Sequence, residues 1–382
     1  MSVWLGWLLA IVQVFLGLRV GWRLLRSGGD EPIGVVTEAI IDAGAVSVIV
    51  PVLNEVQRLP RCLERLRTLG PEVTEILVVD SGSTDGTCDL VRQYAQRDRR
   101  IQLIAAGSAP DEWNGKVWGL HHGAAAVANT TEWLLTLDAD VATAPGLALA
   151  LVARARERKL RLLSVATQQH VSGVVQAVLH PSMLASLVVR FGRPNGATSS
   201  LANVLANGQC CLIHRELLGR LGGFQALRGS LSEDITLARL AASSGERVGF
   251  YEADGLIEVS MFSDWREAWR NWPRSLAMRD ALSGVQGWLG LAEVLFVQAL
   301  PMPLMLLRPR GPLRQVNLGL LAMRLGLLCG IARAYSRPQW SFWISPLADL
   351  PVALALWRSA LRPRHTWRGR TYVRKKGLIV AA

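Results

Sequence analysis

Two kinds of apolar pattern divide the chain. Long apolar stretches lie near its ends, at residues 3–18, 288–307, 316–335 and 340–361. Between them, short runs rich in Val and Ile alternate with segments whose apolar residues recur at helical spacing. The long stretches are typical of membrane-associated helices, and the alternation predicts an α/β domain built on a parallel sheet.

The central segment predicts four strands whose ends carry polar residues. The strands are predicted at 46–52, 76–80, 101–106 and 133–137, and the helices between them at 59–69, 84–96 and 115–128. Glu55 follows the first strand, Asp80 ends the second, and Asp138 and Asp140 follow the fourth. Because ligands bind outside the carboxyl ends of parallel strands, we expect these side chains to converge on a binding site.

The pair of carboxylates in Asp138-Ala139-Asp140 favours a Mg²⁺ or Mn²⁺ ion shared with substrate phosphates, since hard cations prefer oxygen ligands. A G-x-G-x-x-G sequence after the first strand and a P-loop sequence are both absent, which disfavours dinucleotide-binding and P-loop proteins. The six His lack metal spacing, and the five Cys include no C-x-x-C pair. Neither a zinc site nor a disulfide framework is therefore expected, and the cysteines indicate a reducing compartment.

Charge is unevenly distributed over the 382 residues. The net charge is +12, but residues 301–382 hold 14 of the 42 basic residues and only one of the 30 acidic ones. The basic charge is therefore a property of the C-terminal part of the chain. We expect it to meet anionic lipid, and we do not expect nucleic acid as a partner.

The flanking charges also predict a topology. Three arginines follow the first apolar stretch, an order opposite to that of a signal peptide, so we expect an uncleaved anchor. Keeping both basic runs, 308–314 and 358–376, in the cytoplasm leaves 316–335 and 340–361 as a hairpin, with 288–307 at the interface or re-entrant. The expected organisation is an anchor (1–26), a catalytic domain (44–260), amphipathic or interfacial helices (261–314), a transmembrane hairpin (315–361) and a basic cytoplasmic tail (362–382). This describes a multi-pass protein of the inner (cytoplasmic) or thylakoid membrane whose catalytic domain faces the cytoplasm.

A known family shares these motifs in the same order. Residues 46–55, 76–87 and 137–140, followed by Ser232-Glu233-Asp234, resemble the family-2 glycosyltransferases, which have the GT-A fold. Trp113-Asn114-Gly115-Lys116 resembles the branch that glycosylates lipids, including ceramide glucosyltransferases, hopanoid-associated enzymes and bacterial carotenoid glycosyltransferases. With residues 269–275 and 367–372, the chain looks most similar to the carotenoid 2′-O-glycosyltransferases of cyanobacteria.

The resemblance implies roles for particular residues. The residues implied to bind the nucleotide sugar are Pro51, Glu55, Asp80, Lys116 and Asp138. Asp140 is implied to bind the divalent ion, and Asp234 to act as the catalytic base with Glu233 beside it. Arg270, Trp272 and Arg274 are candidates for acceptor or diphosphate contacts, although of the family's Q-x-x-R-W sequence only Arg274 is kept.

Alternatives exist for several of these residues. Lys116 near a helix start favours phosphate, but it could be an ordinary surface lysine. Ser232, Glu233 and Asp234 could also begin a helix as its cap and first turn. Trp265, Trp269 and Trp272 share one helical face, which suits either a lipid headgroup layer or a packed core.

The expected function is inverting transfer of one sugar from a nucleotide sugar to a hydroxyl of a membrane lipid. The resemblance implies a carotenoid acceptor, at the 2′-hydroxyl of a myxol-type carotenoid. Alternatives are transfer to ceramide, a hopanoid or another polyprenyl lipid, or processive polysaccharide synthesis, against which the altered Q-x-x-R-W sequence argues. A non-enzymatic membrane-binding protein with structural carboxylates is the alternative from a different class.

Overall fold

The computed structural model describes residues 3–36, 44–262, 264–278, 282, 284–307, 310–362, 364–367, 370–375 and 378–381. The α-helices in this part of the chain are α1 (Val3–Arg26), α2 (Leu59–Leu66), α3 (Thr87–Arg97), α4 (Gly115–Ala126), α5 (Leu147–Glu157), α6 (Val174–Phe191), α7 (Arg215–Arg220), α8 (Glu233–Ser243), α9 (Trp265–Ala277), α10 (Gly284–Glu293), α11 (Pro301–Leu307), α12 (Pro312–Ile331) and α13 (Asp349–Leu361). Short 3-10 helices occupy Phe224–Leu227, Ala332–Ala334 and Trp340–Ala348, and Val294–Ala299 forms a π-helix.

The strands are β1 (Ala45–Val52), β2 (Val73–Asp80), β3 (Ile101–Ala105), β4 (Thr131–Leu137), β5 (Val141–Thr143), β6 (Leu162–Ala166), β7 (Gln168–Gln169), β8 (Gly196–Thr198), β9 (Cys210–His214), β10 (Val248–Glu252), β11 (Ile257–Val259), β12 (Arg364–Trp367), β13 (Arg370–Lys375) and β14 (Leu378–Ala381). The four predicted strands correspond to β1–β4. The predicted helices correspond to α2, α3 and α4.

The chain forms two compact units. The helical unit comprises residues 1–29, 170–194 and 262–365, and the sheet unit comprises 30–169, 195–261 and 366–382. The catalytic domain expected at 44–260 stays a prediction. Within that range, α6 belongs to the helical unit together with the helices near the chain ends.

The sheet unit is built on an eight-stranded, mostly parallel sheet with the order β3-β2-β1-β4-β9-β6-β10-β8. Strands β1 to β4 run parallel, and β10 runs parallel to β6. Strand β9 is antiparallel to both β4 and β6, and β8 is antiparallel to β10. A second sheet has the order β5-β11-β7, and β13 pairs antiparallel with β14.

The two faces of β1 are both buried, as its run of apolar residues predicts. Val46, Val48 and Val50 belong to the main hydrophobic core. The opposite face lies against α4, where a Cβ atom at Gly119 would stand 2.8 Å from Cβ of Pro51. Glycine in α4 therefore allows a close approach that places the start of this helix beside the carboxyl end of β1.

Apolar helices dominate the helical unit. Trp4–Arg26, Val174–Phe191 and Pro312–Ala334 are long and apolar enough to cross a membrane, and the pair Gly284–Ala299 and Pro301–Leu307 qualifies together with a 45° bend. These helices indicate an association with a membrane. Val174–Phe191 was not predicted as a membrane span.

The expected hairpin required residues 340–361 to span the membrane. The structure instead has a 3-10 helix there, followed by the 13-residue α13. Neither is among the candidate spans of the described residues.

A buried ion pair lies inside the helical unit. Arg324 Nε on α12 is 2.8 Å from Asp349 Oδ2 on α13, and both side chains are almost fully buried. Ser182 Oγ and Gln298 Nε2 also donate hydrogen bonds to Asp349 Oδ1, at 2.6 and 2.9 Å. A charged arginine in an apolar stretch was expected to cost free energy unless it had a partner. Arg324 has such a partner in Asp349.

Candidate active site

The carboxylate pair predicted to bind a metal ion lies between β4 and β5, at the carboxyl end of β4. Asp140 Oδ1 is buried and has no hydrogen-bond partner among the residues that the structure describes. Burial and the negative charges of Asp138 and Glu55 raise the pKa of Asp140 to about 7. A concentration of negative charge with an unsatisfied oxygen fits a divalent cation.

The surrounding residues do not enclose such an ion by themselves. In the described ranges, no group of three or more His, Cys, Asp or Glu side chains is arranged to hold a metal. Mg²⁺ is often bound by one or two carboxylates, with substrate phosphates and water completing the shell. Asp140 therefore fits an ion that takes its other ligands from a bound diphosphate and from water.

Lys116 links the two groups of acidic residues. Asn114 caps α4, its Oδ1 accepting a hydrogen bond from the Lys116 backbone N–H at 2.9 Å. Lys116 Nζ lies 2.7 Å from Asp138 Oδ1 and 2.8 Å from Glu233 Oε1, and it donates to the Gly208 carbonyl at 3.1 Å. Burial alone would lower the pKa of Lys116, but the two carboxylates outweigh it and raise the pKa.

This arrangement contradicts the interpretation of Lys116 as an ordinary surface lysine, because its side chain is only 15% exposed. The ammonium group faces the carboxylates of Asp138 and Glu233. A contact between Lys116 and a phosphate stays a prediction.

Asp234, the predicted base, is held by backbone donors in the first turn of α8. Its Oδ2 accepts a hydrogen bond from the Gly208 N–H and its Oδ1 from the Ile235 N–H, both at 2.8 Å. Burial and the charge of Glu233 raise the pKa of Asp234 to about 7, although Lys116 and the two N–H donors oppose that rise. A carboxylate with this pKa can accept a proton effectively at neutral pH.

The tripeptide 207–209 was missed by the sequence analysis. Gly208 donates its N–H to Asp234 and accepts from Lys116, so it lies between the base and the lysine. Gln209 Oε1 anchors the tripeptide by accepting hydrogen bonds from Asn207 Nδ2 at 3.0 Å and Thr167 Oγ1 at 2.5 Å. Asn-Gly is a strong turn signal, and its position just before β9 could have drawn attention to it.

The loops after β1 and β2 meet, as predicted for the carboxyl ends of parallel strands. Asn54 Oδ1 accepts a hydrogen bond from the Thr84 N–H at 2.8 Å, and Ser83 Oγ accepts one from the Asn54 N–H at 2.8 Å. The carboxylate of Asp80 accepts bonds from the backbone N–H groups of Gly82 and Ser83. Asp80 thus stabilises its own turn.

The other predicted nucleotide-binding residues lie near this edge. Glu55 is buried in the loop after β1, and its backbone N–H donates to Thr87 Oγ1 at 2.9 Å. Pro51 pairs with Val79 near the end of β1. Nucleotide-sugar binding by Pro51, Glu55, Asp80 and Asp138 stays a prediction.

The acceptor candidates lie on α9 in the helical unit. Arg270 is exposed and its Nε donates to the Arg266 carbonyl at 3.3 Å. Trp272 is buried, with its ring centroid 4.1 Å from that of His180. The burial of Trp272 supports core packing for this member of the tryptophan face, while Trp265 is 37% exposed. The side chain of Arg274 lies outside the described residues, and the acceptor roles of all three candidates stay predictions.

Comparison with known proteins gives a family match for the central segment. Residues 47–222 match the sequence family described as Glycosyl transferase family 2. The chain is 30% identical over 97 residues to glycosyltransferase AglE of Haloferax volcanii, which covers 25% of this chain and 30% of that protein. It is 24% identical over 239 residues to 4,4'-diaponeurosporenoate glycosyltransferase of Staphylococcus haemolyticus, which covers 61% of each. The chain therefore spans less than two thirds of the length of these relatives.

Among solved structures, a mannosyltransferase from Pyrobaculum calidifontis in complex with GDP-Man and Mn²⁺ is 19% identical to the chain with a TM-score of 0.49. That alignment covers 92% of this chain and 99% of the other. The family match and the sheet order confirm the expected α/β fold of the GT-A type. The finer resemblance to carotenoid 2′-O-glycosyltransferases stays a prediction.

Proposed function

We propose that this chain, whose residues 47–222 match the Glycosyl transferase family 2, transfers one sugar from a nucleotide-sugar donor to a hydroxyl of a membrane lipid, with inversion at the anomeric carbon. The observation that carries the proposal is the connection made by Lys116. Its ammonium forms ion pairs with both Asp138 and Glu233. Asp138 lies two residues before the proposed metal ligand Asp140, and Glu233 directly precedes the proposed base Asp234. Donor-binding and proton-accepting groups are thereby held in one cluster.

On the donor side, Asp140 would hold Mg²⁺ or Mn²⁺. The ion would neutralise negative charge that develops on the leaving diphosphate. The buried, unsatisfied Oδ1 of Asp140 supports this role. Lys116 fixes the orientation of the Asp138 carboxylate. Pro51, Glu55, Asp80 and Asp138 line the proposed nucleotide pocket.

On the acceptor side, Asp234 acts as the general base. The acceptor oxygen forms a bond to the anomeric carbon while the bond between that carbon and the diphosphate oxygen breaks, and the hydroxyl proton passes to Asp234. A single displacement of this kind inverts the configuration. The Gly208 and Ile235 N–H groups hold the Asp234 carboxylate in one orientation. The reaction therefore does not have to pay the entropy of ordering this side chain.

The proposed acceptor is a carotenoid hydroxyl, at the 2′ position of a myxol-type carotenoid. Two observations support an apolar acceptor of this class. The part of the chain that the structure describes has three helices long and apolar enough to cross a membrane, and one relative is named for 4,4'-diaponeurosporenoate. Membrane-bound acceptors suit an enzyme associated with the bilayer.

The transfer can be tested with the full chain purified in detergent. Radiolabelled UDP- and GDP-sugars are incubated with lipid extract of the source cells and Mn²⁺, and label is followed into the organic phase. We expect labelled lipid with the wild type and a loss of about 100-fold or more with Asp234→Asn. Label that stays in the aqueous phase with every donor would contradict the proposal.

The acceptor class has its own test. Deleting the gene and profiling pigments by mass spectrometry should reveal accumulation of an unglycosylated carotenoid. An unchanged pigment profile, alongside lipid labelling in the first experiment, would reject the carotenoid and leave the transferase in place.

A further inference from the structure

Three arginines and one glutamate form a cluster inside the helical unit, which we call the arginine cluster: Arg19 and Arg23 on α1, Arg190 on α6 and Glu293 at the end of α10. Glu293 Oε1 accepts hydrogen bonds from Arg19 Nε at 2.6 Å and Arg23 Nη2 at 2.9 Å, and Oε2 accepts one from Arg23 Nη1 at 2.9 Å. The Glu293 carboxylate thus accepts hydrogen bonds from two arginines, whereas its charge acts on Arg190 without a direct hydrogen bond among those found.

Arg190 is the incompletely satisfied member. The residue is 4% exposed, and its Nη1 donates a hydrogen bond to the Leu276 carbonyl. Nε and Nη2 are buried and have no hydrogen-bond partner among the residues described. These two atoms lie on the same edge of the guanidinium, where they form the planar fork that binds both oxygens of a carboxylate or phosphate.

The cluster carries excess positive charge. Three guanidinium groups face one carboxylate, so the four side chains have a net charge of about +2 at neutral pH. Burying unpaired charge and unsatisfied donors is unfavourable unless an anion compensates. The excess positive charge and the two unpaired N–H donors of Arg190 therefore favour an anionic partner.

An apolar face leads to this cluster along α1. Ile11, Phe15 and Leu18 are 63%, 67% and 70% exposed, and they precede Arg19, whose side chain is 43% exposed. An acyl chain can lie along such a face while its headgroup meets the arginines at the C-terminal end of the helix. This combination favours a lipid over a free anion.

We propose that the arginine cluster binds the phosphate of an anionic phospholipid, with the Nε and Nη2 fork of Arg190 as the principal donor pair. The site is separate from the Asp138–Lys116–Glu233 cluster of the sheet unit. Its occupation does not depend on the proposed glycosyl transfer, since it needs neither a donor sugar nor an acceptor hydroxyl.

The test measures thermal stability and lipid retention of the full chain in neutral detergent. Phosphatidylglycerol should raise Tm by roughly 3 °C or more above the effect of equimolar phosphatidylcholine, because a ligand that binds the folded state stabilises it. Native mass spectrometry should show phosphatidylglycerol retained. Inorganic phosphate at the same concentration should give no such rise.

Matched variants locate the binding. Arg190→Lys keeps the charge but removes the fork, so it should abolish most of the difference between the two lipids. Arg19→Gln removes a partly exposed member and should weaken retention even if Arg190 variants fail to fold. Arg333→Gln, an exposed arginine of the same unit, should behave as the wild type.

Equal effects of the two lipids on the wild type would overturn the proposal. So would an undiminished phosphatidylglycerol effect in both Arg190→Lys and Arg19→Gln. Stabilisation by inorganic phosphate equal to that by phosphatidylglycerol would show a plain anion site and reject the lipid.

Discussion

Lys116 Nζ lies 2.7 Å from Asp138 Oδ1, and this ion pair connects the start of α4 to the carboxyl end of β4. The same nitrogen lies 2.8 Å from Glu233 Oε1 at the start of α8. One ammonium thus balances two carboxylates that would otherwise repel each other. The acidic residues predicted from separate motifs act as one electrostatic unit because this lysine stands between them.

Replacing Lys116 by Met should therefore destabilise the protein as well as inactivate it. Two partly buried carboxylates would lose their counter-charge, and we expect a cost of roughly 2–4 kcal/mol in the free energy of unfolding at pH 8. Urea unfolding of the variant and of the wild type at pH 8 measures the difference.

Two further variants test this explanation. Lys159→Met removes an exposed lysine and should cost less than about 0.5 kcal/mol. In a double-mutant cycle, Glu233→Gln should recover part of the stability lost in Lys116→Met, since it removes one unpaired charge. Strictly additive effects would show that the two residues are not coupled.

The raised pKa of Asp234 predicts a pH dependence of activity. Only the ionised carboxylate can accept a proton, so kcat/KM should rise with pH until it levels off above about 7.

The raised pKa of Asp234 also makes the stability of the folded protein depend on pH, in the opposite direction to its activity. Since the folded-state pKa exceeds that of the unfolded chain, the favourable contribution of protonated Asp234 is present at low pH and lost as pH rises through about 7.

Asp234→Asn should consequently be more stable than the wild type at pH 8.5, and this gain should be clearly smaller at pH 5.5, although it vanishes only below the ordinary Asp pKa of about 4. Chemical unfolding at both pH values measures the difference. Asp254→Asn, at an exposed position of the same unit, should show no such trend. A gain of equal size at both pH values would contradict the assignment of a raised pKa to Asp234.

The contact between α4 and β1 predicts that alanine substitutions at two glycines of α4 change the stability differently. A Cβ at Gly119 would lie 2.8 Å from Pro51 Cβ, so Gly119→Ala should cost about 1–3 kcal/mol through overpacking. A Cβ at Gly115 would meet nothing within 4 Å, and Gly115→Ala should be neutral or slightly stabilising. Equal effects on the urea midpoint would show that α4 does not approach β1 so closely.

The buried pair Arg324–Asp349 should be more costly to break than to replace. Asp349→Leu alone leaves a buried guanidinium without its carboxylate, for which we expect a loss of about 3–5 kcal/mol. Adding Arg324→Met removes that uncompensated charge and should restore most of the lost thermal stability in detergent. A double variant as unstable as Asp349→Leu would assign the loss to Ser182 and Gln298, which also bond to Asp349.

Much of the sheet was predictable because strands buried on both faces appear in sequence as runs of Val and Ile. Strands β1 to β4 were predicted to within three residues at each end. Strand β9 was not, since its position between β4 and β6 depends on pairing with residues far away in sequence. Helix α6 was missed as a candidate span, because an apolar helix in mid-chain has the same sequence pattern as a core helix.

The site was predictable in its residue types but not in its contacts. Asp138 and Asp140 could be placed at a strand end, and Asp234 in a first helical turn, from local pattern and resemblance. The pairing of Lys116 with Asp138 and Glu233 could not, because it depends on distances between elements that only the folded chain brings together. The position of Lys116 near a helix start pointed equally to a phosphate.

Donor turnover by four proteins tests the central claim most directly. With Mn²⁺ and each common nucleotide sugar, release of the nucleotide is compared for the wild type, Asp140→Asn, Asp234→Asn and the exposed control Asp254→Asn. We expect turnover by the wild type and the control, and a loss of about 100-fold or more in the other two variants. Turnover that survives unchanged in Asp140→Asn and Asp234→Asn would contradict the assignment of this cluster as the catalytic site.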